Sequence, residues 1–138
     1  MRILFLSFAV LLLTSCGLSK PKSHHQVVFQ MTSGVVEEQK GLINNLENIL
    51  EAWGDKTELE VVAHGPGLSM LVEESTPSSK EIQSLIARGV VFVACENTMK
   101  RKNVTNKDLV KGVHTVPMGI GEIVKKQEQG WTYIKANF

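Results

Sequence analysis

Two side chains in this sequence have the type and the setting for chemistry, Cys95 and His64. Cys95 closes the apolar run Val90 to Cys95 and is followed at once by Glu96, Asn97 and Thr98. A cysteine at the point where a strand ends and a helix begins sits beside unpaired backbone N–H groups and the positive end of a helix dipole, which favour thiolate over thiol. Lys100 and Arg101 add positive potential there, and Glu96 opposes it. His64 closes the run Leu59 to His64 and could reach the same rim as a general base or hydrogen-bond partner. Plainer readings stand beside both: free cysteine is among the most frequently buried residue types, and a histidine at a strand end is commonly a satisfied polar group. His114 opens a later strand and belongs at the opposite edge of a sheet. His24 and His25 could bind metal incidentally, but no spacing in the chain makes a zinc ligand set.

The elements that would position these residues alternate regularly. Gln26 to Met31 is a short β-rich run; Leu42, Leu46, Ile49, Leu50 and Trp53 then recur at helical spacing, and Gly54 ends that helix. Leu59 to His64 is a second strand, followed by the turn Gly65-Pro66-Gly67 and a helical turn or two. Ser78 with Glu81 has capping-box spacing ahead of a helix carrying Ile82, Leu85 and Ile86. Val90 to Cys95 is continuously apolar, as a strand covered on both faces should be. Glu96 to Gly112 reads as two short helical pieces, one near Asn97 to Lys102 and one capped by Thr105. His114 to Met118 is a short fourth strand, Ile120 to Gln129 a helix stopped by Gly130, and Trp131 to Ala136 a last strand. Alternation puts Trp131, Tyr133 and Lys135 on one face of it, so this strand belongs half exposed at an edge.

Such a series predicts an α/β fold, a five-stranded, mostly parallel sheet, doubly wound into three α/β/α layers. The flavodoxin-like strand order 2-1-3-4-5 is expected, with strands 1 and 3 adjacent where the winding reverses, and ligands bind beyond the carboxyl ends of the strands at that point. The candidate crevice is then lined by Thr32 and Ser33 after strand 1, Gly65, Pro66 and Gly67 after strand 2, and Glu96, Asn97 and Thr98 after strand 3. The glycine turns could offer N–H groups to an anion. Neither matches a phosphate-loop or dinucleotide fingerprint, so they read as turns, and no cofactor is implied.

The N-terminus bears on the compartment. Met1-Arg2 is a basic start, Ile3 to Leu13 is apolar, and the whole is too short for a comfortable membrane span. Leu13-Thr14-Ser15-Cys16 resembles the lipobox of bacterial lipoproteins, which predicts a signal peptide over 1–15 and a lipid on Cys16. Residues 16–25, polar and containing Pro21, read as the lipidated cysteine and a flexible tether, and 26–138 as one domain. The expected location is a bacterial cell envelope, and the outer membrane facing the periplasm in a Gram-negative host, because no aspartate follows Cys16. Fifteen Lys and Arg against fourteen Asp and Glu, interspersed, argue against nucleic acid as a partner. With Cys16 acylated, Cys95 is left without a disulfide partner in the chain, in a compartment where a lone thiol is buried, paired with another molecule, or reactive.

The strings Ala94-Cys95-x-Asn97-Thr98-Met99, Val116-Pro117-x-Gly119, Glu122-Ile123 and Gln127-x-x-Gly130-Trp131-x-Tyr133-Ile134-Lys135 resemble the DsrE/DsrF-like family from Gln26 onward. These are small α/β proteins associated with sulfur oxidation and sulfur relay. In relay members a cysteine at the end of the third strand carries sulfane sulfur as a persulfide, and the matching position here is Cys95, followed by the basic Lys100-Arg101. Relay members follow that cysteine with small apolar residues and are cytoplasmic, whereas this chain has Glu96-Asn97-Thr98 and a lipoprotein-like leader. The resemblance implies a homo-oligomer, a sulfur donor or acceptor protein as partner, and a sulfur carrier or sulfurtransferase-like role rather than a conventional multi-turnover enzyme. The alternative is a non-catalytic small-ligand-binding or assembly module on the same fold.

Overall fold

A computed structural model describes residues 24–137. The segment expected to be a signal peptide, Cys16 and most of the expected tether lie outside the described residues. Five strands form one parallel sheet: β1 (His25–Met31), β2 (Thr57–Ala63), β3 (Val91–Cys95), β4 (His114–Val116) and β5 (Thr132–Lys135). They alternate with α1 (Val36–Trp53), α2 (Ser79–Ala87), α3 (Glu96–Lys102) and α4 (Gly119–Glu128). Among the described residues no helix is long and apolar enough to cross a membrane.

The strands lie in the order 4-3-2-1-5, not 2-1-3-4-5. The physical reason is which strands tolerate an edge. β4 has three residues, two of them half-buried, and β5 four, largely exposed, and each takes an edge where only one side needs pairing. β2 is buried from Leu59 to Ala63 and takes an interior place. The expected order would have put β2 at an edge and β4 inside.

This order fixes the layers. From β1 to β4 the chain steps one strand at a time in one direction, so right-handed crossovers put α1, α2 and α3 on one face. The return from β4 to β5 runs the other way and carries α4 across the opposite face. On the three-helix face Phe29, Leu59, Val61, Phe92 and Ala94 meet Leu42, Leu46, Ile82, Leu85 and Met99 in the main core. Fully burying a side chain of this size contributes roughly 1.5–3 kcal/mol. On the other face Val28, Val62 and Val93 pack on Ile123 of α4 in a smaller core.

Local expectations hold with adjustments. α1 starts at Val36, a turn and a half before its first apolar residue of the predicted stripe, and Gly54 closes it at φ 56°. Ser78 precedes α2 but its side chain makes no capping bond; the capping box that forms is Thr105 with Asp108. His25, placed in the tether by sequence, opens β1 and stacks on Trp53 with ring centroids 4.0 Å apart.

Candidate functional site

Adjacent strands whose outgoing connections turn to opposite faces leave a crevice between their carboxyl ends. Here those strands are β3, which leads into α3, and β4, which leads into α4 across the sheet. Cys95 is the last residue of β3 and so stands at this reversal, although the reversal itself is not between strands 1 and 3.

By alternation Cys95 shares the α4 face with Val91 and Val93. The first residue of α4 comes directly over it: the Gly119 N–H donates to Cys95 Sγ at 3.3 Å. A Cβ added at Gly119 would lie 3.2 Å from both Cys95 Cβ and Val62 Cγ1, and 3.4 Å from His64 Cβ. Glycine lets the helix come this close without displacing its neighbours, and the helix points its unpaired N–H groups and its positive end at the sulfur.

Thr98 is the second support. It is 1% exposed, and its hydroxyl oxygen accepts from the Gly65 N–H at 3.1 Å and from Arg101 Nη2 at 3.3 Å. Burial works to raise the pKa of Cys95, but the N–H groups of Gly119, Thr98 and Asn97 and the Thr98 hydroxyl outweigh it. The thiol therefore ionises below its ordinary value. Glu96 does not reach the sulfur: its carboxylate accepts from Thr115 Oγ1 at 2.8 Å, and Thr115 leaves β4 on the face opposite Cys95 because its register partner is Ala94. Cys95 itself is 5% exposed.

His64, the residue after β2, does share the rim with Cys95, on the other side of Gly119. Its Nε2 lies 2.8 Å from Gln30 Nε2, and Gln30 Oε1 accepts from the Tyr133 hydroxyl. Burial, and then the charge of Arg101, hold the pKa of His64 below the ordinary histidine value. Lys100 is exposed.

The remaining crevice candidates are not brought to the sulfur as a set. Thr32 and Ser33 follow β1, and β2 stands between that strand and β3, which carries Cys95. Ser33 Oγ accepts the Val35 N–H at 3.1 Å, and the Thr32 carbonyl accepts the Gly67 N–H at 3.0 Å. Gly65, Pro66 and Gly67 begin a 3₁₀ segment, Gly65–Leu71. The N–H groups of Gly65 and Gly67 are taken by protein oxygens and Pro66 has none, so this turn is no anion cradle. Gly67 is there for packing, since a Cβ would overlap the Met31 carbonyl. Asn97 is exposed at the mouth, with its N–H 3.3 Å from the Pro117 carbonyl.

Gly119, Gln30 and Tyr133 are not among the candidate site residues of the sequence, although Gly119 and Tyr133 lie in the strings that carry the family resemblance. Gly119 had a signal: a glycine in the first turn of a helix that follows a strand and a proline marks close backbone approach. Gln30 and Tyr133 had none, because their meeting depends on β5 pairing with β1. Among the described residues no group of three or more His, Cys, Asp or Glu is placed to hold a metal ion.

Residues 25–136 match the DsrE/DsrF-like family. Among solved structures, the chain is similar to MTH1491, a protein of unknown function from Methanobacterium thermoautotrophicum: identity is 32%, coverage 80% of this chain and 98% of that one, and TM-score 0.76. BT1422 of Bacteroides thetaiotaomicron, a conserved protein of unknown function, has 14% identity, TM-score 0.65, and coverage of 79% and 92%. The ychN protein of E. coli has 13% identity, TM-score 0.66, and coverage of 80% and 98%. The last two share the fold alone. No curated protein matches the chain.

Proposed function

The chain belongs to the DsrE/DsrF-like family, and on that premise we propose that it handles sulfane sulfur through Cys95, held at a bacterial envelope by a lipid on Cys16. The observation that carries the reading is the Gly119 N–H on Cys95 Sγ, seconded by the donors of Thr98 and Asn97 that favour the thiolate. In the step, the Cys95 thiolate attacks the outer sulfur of a persulfide donor R–S–SH. The S–S bond breaks, R–S⁻ leaves with the electron pair, and the outer sulfur with its proton remains as Cys95–S–SH. Transfer to an acceptor thiolate runs the same exchange in reverse, with no net oxidation. The donor or acceptor is a partner protein, and the protein itself works as a homo-oligomer.

Mass spectrometry after treatment with polysulfide tests this. Cys95 should gain one sulfur atom, released by a thiol reductant; a Cys95 left unmodified while a surface control cysteine reacts ends the reading.

The 5% exposure of Cys95 favours a second reading, a non-catalytic ligand-binding or assembly module in which the thiol is packing. A native-state maleimide separates the two. Labelling no faster than global unfolding favours the module, and prompt labelling favours sulfur handling.

A further inference from the structure

The chain Tyr133–Gln30–His64 spans β5, β1 and β2 on the α4 face and ends at the rim that holds Cys95. A glutamine amide has two unlike ends, one accepting and one only donating. The Tyr133 hydroxyl donates to Oε1, so the NH2 faces His64. An NH2 group 2.8 Å from His64 Nε2 requires that nitrogen to accept. The proton of the neutral ring then sits on Nδ1.

We infer that His64 serves this site as a neutral Nδ1–H hydrogen-bond donor rather than as a base, with Gln30 and Tyr133 as the positioning residues that set its tautomer. This rests on the sulfur-handling reading and deepens it. Gln30 already occupies the Nε2 lone pair, so His64 has no free basic nitrogen for the Cys95 proton; that proton goes to solvent, and the helix N–H groups stabilise the thiolate left behind. Nδ1–H is left to meet the negative charge that develops on R–S⁻ as it departs, without itself losing the proton. The charged and titratable groups facing the imidazole are Arg101 on α3 and Cys95 on β3, with Tyr133 on β5 reached through Gln30, while α4 presents the Gly119 backbone. Arg101 and the Gln30 NH2 both oppose the imidazolium.

Two-bond proton–nitrogen correlation spectra of the protein test this directly. The expected result is a neutral His64 with hydrogen on Nδ1, titrating below ordinary histidines. Gln30→Glu offers a carboxylate that demands Nε2–H, and should make His64 at least about tenfold more basic. Tyr133→Phe, at an exposed position, releases the amide to turn over and should give mixed tautomers; it keeps the test available where Gln30→Glu does not fold. A wild-type His64 protonated on Nε2, or a titration unmoved by both variants, overturns the inference. Sulfur uptake by wild-type Cys95, followed by mass, reports on the underlying reading separately: no uptake with the expected spectra removes the sulfur function and leaves the tautomer assignment.

Discussion

Among single residues, Glu60 is the one whose cost is most visible. It lies on interior strand β2, 3% exposed, with Oε2 on Lys126 Nζ at 2.6 Å and Oε1 without a partner. Lys126 in turn lies 4.2 Å from the Trp131 ring centroid. Burial raises the Glu60 pKa, and the bond and charge of Lys126 offset this in part. Because the folded value is raised, the folded chain holds this proton more tightly than the unfolded chain does. The contribution to stability is fully present below the ordinary value of 4.5 and is lost as pH rises through the raised folded value. Wild type should therefore lose stability relative to Glu60→Gln as pH rises from there toward neutrality, measured by urea unfolding; a gap constant with pH contradicts this. Lys126→Met strands the carboxylate and should cost about 3–5 kcal/mol. Sequence placed Glu60 in a strand but could not tell that α4 would bury it. Cys95 at the end of its strand was legible, since a continuous apolar run ending in polar residues marks that end.

At the scale of elements, α4 does most to make the site. Its first turn bonds the sulfur, Ile123 closes the smaller core, and Lys126 neutralises Glu60. Gly119→Ala tests that role. The new Cβ would lie 3.2 Å from Cys95 Cβ and Val62 Cγ1, so the turn must shift by a few tenths of an ångström and the N–H···S bond lengthens. A hydrogen bond to a charged group contributes about 1.5–3 kcal/mol when fully formed, so weakening it should make the thiol up to about tenfold less acidic. The pH profile of iodoacetamide alkylation measures this, and an unchanged midpoint would show that α4 does not tune Cys95. The helix was readable from its periodicity and Gly130, but the strand ends it would cover were not.

For the whole molecule, parallel pairing collects all carboxyl ends at one rim and all amino ends at the other. β1 begins at His25 and runs seven residues, about 20 Å at roughly 3.3 Å per residue. Cys95 thus sits at the rim opposite the one where β1 begins. Cys16→Ser should move the protein from the membrane fraction to the soluble one with sulfur uptake at Cys95 unchanged; a variant that stays with the membrane refutes the lipid anchor. The sequence by itself determined the α/β alternation, the strand ends and the placing of Cys95 at one of them, because periodicity and turn residues act over a few neighbours. Only the tertiary structure decided the order 4-3-2-1-5, and with it that Thr32 and Ser33 stand apart from the thiol while Gly119, Gln30 and Tyr133 belong to its surroundings. Strand order is set by which strands can bear an edge and which face each crossover covers, and those are properties of the assembled sheet.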